Sequence, residues 1–442
     1  MEALIQKFSQ KGLGVVDDVE VAHVIPGDKI LIDLMGKRKR KKGRLLEVLS
    51  PSKDRVDPKC KHANTCGGCC WQQMSYQAQL LEKENRVREA FGVEPDPIIP
   101  SDEIFGYRNK MEFTFSQNKA GEKFLGLMIA QSNGHVFNLS ECHLTSQWFA
   151  DAVASVRTWW EISGLEAYFP PADRGSLRYL TLREAKRTSQ KMAILNVSGN
   201  PDYALNRSQL NGYIAAIQSA AGEDASIFLR IHQTQKGRPT SFYEMHLAGP
   251  DHIIEELNFA GVYLTFKISP VSFFQPNSLA AEKLYSAAIA MIPKCATVFD
   301  LYCGTGTLGM AVSRFVHKVI GIELSPEAVI DAQENIRRNQ IANMTVYQGD
   351  VGKVISDLLK DPHFVRPDAV IVDPPRAGLD PLAISHLKNL LPKTIVYVSC
   401  NPLTQAQNVA ELQAVGYVLR KLQPVDQFPH TYHIENIALL DR

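Results

Sequence analysis

The chain has 442 residues, with 48 Lys and Arg against 47 Asp and Glu for a net charge of +1, and it is 45% hydrophobic and 21% charged. That is ordinary for a soluble protein of two or three domains with a sizeable core, and a near-zero charge averages over local clusters without naming a partner. No apolar stretch reaches the roughly 18 residues that span a bilayer, and residues 1–14 lack the basic start and apolar run of a signal peptide, so a cytoplasmic protein with no membrane partner is expected.

Residues 1–58 are short and β-like. "VEVAHVIPGDKILIDLM" supplies two strand-like runs around a Pro26-Gly27-Asp28 turn, and "GRLLEVL" a third. Between them lies "KRKRKK", Lys37 to Lys42. Such a run reads equally as a solvated loop or as the basic hairpin of a small β-barrel that holds an RNA backbone.

Residues 59–265 read as a central α+β region. It opens on Cys60, Cys66, Cys69 and Cys70, four of the eight cysteines. Structural disulfides are rare in a reducing compartment, so the crowding points to a metal. A charged helix over 76–91 follows, then alternating segments such as "NKMEFTFS", "LRYLTLREA" and "IFLRIHQT".

From about 266 the texture becomes a regular strand–helix alternation, the mark of a doubly wound sheet. Strands are expected at 296–302, 318–323, 344–348, 368–373 and 393–399, with a helix over 326–339 capped by Ser325. The last two segments, "YVLRKLQPV" and "HIENIALL", are joined by too few residues for a crossover helix and must be antiparallel. "DLYCGTGTLG" places Gly304, Gly306 and Gly309 between a strand and a helix, and Glu323 ends the next strand. Alone this suggests a dinucleotide site. The antiparallel final pair and "VDPPRAGL" at the fourth strand's end instead favour an S-adenosyl-L-methionine-dependent methyltransferase. In "YVSCNP" Pro402 cannot join a ladder, so Cys400 stands at the end of the fifth strand, where ligands of open α/β sheets bind.

Together "FFQPN" (273–277), "DLYCGTGTLG", "VDPPRAGL", "YVSCNP" and "HIENIALL" resemble the RNA uracil-5-methyltransferases. Residues 1–58 are similar to the TRAM RNA-binding domain, and the cysteine cluster to the iron–sulfur site of the ribosomal RNA branch. The resemblance implies a Rossmann-like methyltransferase domain with an antiparallel final strand (266–442), an α+β central domain (59–265) and an OB-like N-terminal β-barrel (1–58). It implies a monomer acting on RNA, 23S rRNA more than tRNA. Cys400 becomes the nucleophile and Glu435, at a pocket rim, the base. Cofactor contacts carry over to Gln275, Tyr302, Glu323 and Asp373, with Gly304 and Gly306 allowing close approach and Asp350 facing the adenine. Cys60, Cys66, Cys69 and Cys142 would ligate a 4Fe-4S cluster. Four thiolates suit zinc as well, and Cys70 contests the third position. Cys295 and Cys303 read as packing residues, and Tyr107, Arg108, Arg376 and the 37–42 run as RNA contacts.

Carbon 5 of uracil is a poor nucleophile. A thiolate added at carbon 6 makes carbon 5 an enolate carbon able to take a methyl group, and a base then removes its proton. Two rivals remain: methylation of an exocyclic amine, which needs no cysteine, and an RNA-binding protein with an idle methyltransferase domain.

Overall fold

The computed structural model describes all residues except 36–41, 133, 235–239 and 295–296. Most of the basic run and Cys295 therefore lie outside the described residues.

The N-terminal strands are β1 (Glu2–Leu4), β2 (Lys7–Phe8), β3 (Gly14–Val16), β4 (Val19–Val21), β5 (Lys29–Met35) and β6 (Lys42–Ser50). They form one sheet in the order β1-β5-β6-β4-β3-β2 around Ile5, Val21, Val24, Ile30 and Ile32. Helix α1 (Tyr76–Phe91) starts at Ser75, whose hydroxyl accepts from Ala78 N, and stops at Gly92 in a left-handed conformation.

The central strands are β7 (Lys110–Gln117), β8 (Lys123–Met128), β9 (Val136–Asn138), β10 (Leu177–Glu184), β11 (Lys191–Ser198), β12 (Ser226–Gln233) and β13 (Ser241–Ala248). They order as β13-β12-β11-β10-β7-β8-β9. Helices α2 (Gln147–Ile162) and α3 (Arg207–Ala221) bury Phe149, Val153, Trp160, Tyr213 and Ile217 in one core with alternate residues of that sheet. The hairpin β14 (Ile253–Phe259) and β15 (Val262–Ile268) packs between this sheet and the C-terminal one, because Leu264 and Phe266 share a core with Met192, Phe228 and Val298.

After α4 (Ser278–Ala290) come β16 (Thr297–Leu301), α5 (Thr307–Val312), β17 (Lys318–Glu323), α6 (Pro326–Arg338), β18 (Met344–Gln348), α7 (Val351–Leu358), β19 (Ala369–Val372), α8 (Pro381–Leu390), β20 (Thr394–Ser399), α9 (Pro402–Gln413), β21 (Val418–Val425) and β22 (Glu435–Asp441). The sheet runs β18-β17-β16-β19-β20-β22-β21, parallel from β18 to β20. β22 is antiparallel to both β20 and β21. The short β1 to β3 are additions to the strands read from sequence, and the C-terminal strand positions agree within a residue or so. No helix among the described residues is long and apolar enough to cross a membrane.

Candidate active site and cysteine pocket

In an open α/β sheet the carboxyl ends of the parallel strands form the binding edge. Here that edge gathers Tyr302 after β16, Glu323 ending β17, Asp350 after β18, Asp373 after β19 and Cys400 after β20. The antiparallel strand adds Glu435. Ser399 pairs with Asn436, so the next residues outward on the two strands, Cys400 and Glu435, are neighbours.

The glycine loop is built for close backbone approach. Gly304 and Gly306 have φ of +54° and +79°, values L side chains seldom adopt. Gly309 N donates to Asp300 at 2.8 Å, and a Cβ there would lie 2.7 Å from that carboxylate. Glu323 accepts from Gly304 N at 2.9 Å and from Ser325 N at 2.8 Å. Each oxygen keeps a lone pair for a ribose hydroxyl. Tyr302, itself at φ +64°, donates to Asp380 at 3.0 Å. Asp350 caps α7 through Lys353 N, so one of its oxygens is already engaged. Gln275 donates to Tyr285 Oη at 3.2 Å and accepts from Gln427 at 3.4 Å.

Electrostatically the site is short of positive charge. Burial pushes Asp373 up to about 7. Asp300 also rises to about 7, through burial and then the charges of Asp373 and Glu323, against its bond from Gly309. Glu435 is held well above the carboxylate range by burial and by Asp373, with Arg376 opposing. The Cys400 thiol is pushed up to about 11 by burial, Glu435 and Asp373, while the neighbouring Arg376 guanidinium pulls the other way. Arg376 Nη2 also lies 3.3 Å from His433 Nδ1, and His433 is lowered to about 4 by burial and neighbouring cations, so it is neutral there.

Two sequence readings change. Glu435 is 5% exposed, inside the pocket instead of at its rim, with Asp373, Arg376 and Tyr285 about it. Tyr107, read as an RNA contact, is 1% exposed with its hydroxyl donating to Pro429 O at 3.0 Å. Arg376 is exposed, and its guanidinium meets His433 close enough to the thiol to act on it. Tyr285, whose hydroxyl accepts from Gln275 and which lies near Asp373 and Glu435, joins the site without any sequence signal, and Phe273 of the "FFQPN" motif is exposed two residues before Gln275. Cys303 is buried in the core, as read.

The second feature is a small pocket lined by Cys60, Cys66, Cys69 and Cys142 with Met111, Leu127, Leu139 and Leu144. Cys66 Sγ accepts from Gly68 N at 3.3 Å and Cys60 Sγ from His62 N at 3.4 Å, the kind of amide contact that suits a thiolate. Cys70 turns away: it packs on the Ile25, Trp71 and Met74 core, beside Lys83 and Arg86. Among the described residues no three His, Cys, Asp or Glu side chains close on a single point as a finished one-ion site.

Residues 244–442 match the family model described as tRNA (Uracil-5-)-methyltransferase. Over 96% of its length the chain is 49% identical to an uncharacterized RNA methyltransferase of Protochlamydia amoebophila, 99% of which is covered. An uncharacterized RNA methyltransferase of Clostridium tetani is 36% identical over 96% of this chain and 92% of its own. Among solved structures, the Pyrococcus abyssi tRNA (uracil-54, C5)-methyltransferase in complex with S-adenosyl-L-homocysteine superposes with a TM-score of 0.79 at 25% identity, covering 100% of both chains.

Proposed function

Since the chain belongs to the RNA uracil-5-methyltransferase family, we propose that it methylates carbon 5 of a uridine in 23S ribosomal RNA through a covalent bond between Cys400 and carbon 6. The observation that carries this reading is the adjacency of Cys400 and Glu435 across β20 and β22, between Asp373 and Arg376. S-adenosyl-L-methionine supplies the methyl group and, as a sulfonium, the positive charge that Asp300, Glu323 and Asp373 lack. Gln275, Tyr302, Gly304, Gly306, Glu323, Asp350 and Asp373 would hold it. An amine-methylating enzyme has no use for the thiol–carboxyl pair, and an idle domain has no use for either group.

Arg376 stabilises the Cys400 thiolate. The thiolate adds to carbon 6 and the ring electrons pass to the carbonyl oxygen. Once carbon 5 carries the methyl group, Glu435 takes its proton. The C5–H pair becomes the C5–C6 double bond, and the C6–S pair returns to Cys400. The target base has to leave its stack to reach this edge, and Phe273, exposed two residues before Gln275, would offer it a ring to lie against.

The N-terminal sheet, read as an OB-like TRAM unit with the 37–42 run, would grip the RNA backbone. Cys60, Cys66, Cys69 and Cys142 would hold a 4Fe-4S cluster, an all-thiolate set in an apolar pocket with amide donors to sulfur, where zinc is the competing occupant. The chain would act as a cytoplasmic monomer. Transfer RNA is the second reading. It is favoured by the full-length match to a solved enzyme whose name specifies tRNA, so the N-terminal unit alone does not decide the substrate.

Cellular RNA containing 5-fluorouridine, incubated with S-adenosyl-L-methionine, tests both. Fluorine cannot leave as a proton, so the methylated adduct should survive denaturation with wild type and vanish with Cys400→Ala. Sequencing the trapped RNA names the target. RNA binding without an adduct would sink the mechanism.

A further inference from the structure

Among the described residues, Lys83 and Asp426 make the one ion pair whose two side chains are both 0% exposed, at 2.5 Å. Removing two charges from water is expensive, and an apolar pair would hold a core as well or better. The pair therefore calls for a positional reason, and its place in the fold supplies one. Asp426 directly follows Val425, the cross-strand partner of Glu435. Residues 426–434 are the strap between those two positions, and Asp426 is its first residue.

Helix α1 grips this strap along its length. Lys83 Nζ donates to Asp426 and, at 3.0 Å, to Phe428 O. Tyr76 Oη donates to Asp426 at 2.9 Å while accepting from Ser101 N at 2.8 Å. Gln79 accepts from His430 N at 2.7 Å and meets its Nδ1 at 3.2 Å. The Arg86 guanidinium stacks 5.5 Å from the Tyr432 ring. Farther along, Gln427 bonds both Asn277 O and Gln275 Oε1, and His433 reaches Arg376. No residue of α1 is part of the reacting constellation, yet the helix fixes the segment whose far end is Glu435.

We propose that Lys83 and Asp426 are positioning residues for proton abstraction, locking the strap so that the Glu435 carboxyl meets carbon 5 after methyl transfer. The inference rests on Glu435 being the base. Bond formation at Cys400 draws on β20 and on Arg376, which meets the strap at His433, so a loosened strap should slow the second half of the reaction more than the first. Methylated RNA would then wait on Cys400, because the C6–S bond cannot break until the proton leaves.

The test uses the full-length protein, S-adenosyl-L-methionine and ordinary uridine RNA, quenched in denaturant. Glu435→Gln sets the reference, since it blocks proton removal and should leave the methylated adduct on Cys400. Lys83→Met and Asp426→Asn are expected to accumulate the same adduct and to release product roughly tenfold more slowly, a part of the roughly 10²–10⁴-fold that a placed base supplies. Adduct formation and S-adenosyl-L-homocysteine affinity should fall less than product release does. Should the single variants fail to fold, Lys83→Met with Asp426→Leu removes both charges together and is read the same way. Equal slowing of both half-reactions, or slow release with no adduct, would mean the pair only holds the fold, and the inference falls. Absence of adduct with Glu435→Gln would instead remove Glu435 as the base.

Discussion

At the scale of single residues the site's difficulty is its thiol. A group pushed up to about 11 is almost wholly protonated at neutral pH, yet the thiolate is the reactive form. Adduct formation should therefore climb close to tenfold per pH unit between about pH 7 and 9, the slope of a group titrating above that window. Arg376 is the cation that opposes the rise, so Arg376→Gln should push the thiol higher still. At saturating RNA its adduct formation on 5-fluorouridine RNA should fall about tenfold at pH 8, the effect of one pKa unit, and recover as pH increases. An unchanged rate would assign Arg376 to RNA binding alone. Sequence places Cys400 correctly because Pro402 ends its strand, but its partnership with Arg376 joins residues 24 apart in the chain through the packing of β19 beside β20. The same holds for Glu435: alternation along "HIENIALL" gives its face, while its burial depends on side chains of distant segments such as Tyr285 and Asp373 that alternation does not report.

Among the elements, the cysteine loop shows where sequence spacing stops. Cys69 and Cys70 are adjacent, and a pattern of spacings fits either. The fold separates them because Cys70 packs on Trp71 and Met74 beneath Tyr432, leaving Cys69 to face Cys66 and Cys142. If the pocket holds the proposed cluster, Cys69→Ser should strip iron and acid-labile sulfide from anaerobically purified protein, with Cys70→Ser retaining both. Zinc lost by the same variant and no iron in wild type would change the metal but not the ligand. Equal losses from the two variants would mean that Cys70 shares the site. Among the C-terminal strands, β16, β19 and β20 are legible because each is a short, fully buried and mainly apolar run. β1 to β3 are not, since two- and three-residue strands such as Lys7–Phe8 carry no period to count. The strap over 426–434 reads in sequence only as a loop rich in Pro and His. What orders it is α1, some 350 residues earlier.

Over the whole molecule the three segments share cores. Met192, Ile194 and Phe228 of the central sheet pack in one cluster with Val298, Val319 and Ile371 of the C-terminal sheet. Leu80, Val87 and Ile98 join Phe299, Val370 and Leu440 in another. The N-terminal sheet is tied in by Ile25 against Trp71 and by Trp71 Nε1 donating to Gly12 O at 3.0 Å. Trp71 is 0% exposed, so detaching the N-terminal strands would bare it. Such shared burial predicts one cooperative unfolding transition, and ligand linkage gives the means to check it. A ligand at 100 times its Kd stabilises by about 2.7 kcal/mol. Spread over the unfolding entropy of all 442 residues, this raises Tm by about 3 °C; confined to residues 266–442 it would be about 7 °C. S-adenosyl-L-homocysteine should therefore shift a single calorimetric peak by the smaller amount. It should also slow the amide exchange of β5 and β6 that proceeds through global unfolding, although no proposed cofactor contact lies there. A first peak indifferent to the ligand, followed by a second moved by the larger amount, would show residues 266–442 unfolding apart from the two segments before them. In that case Trp71 would mark an interface that opens before the catalytic sheet does.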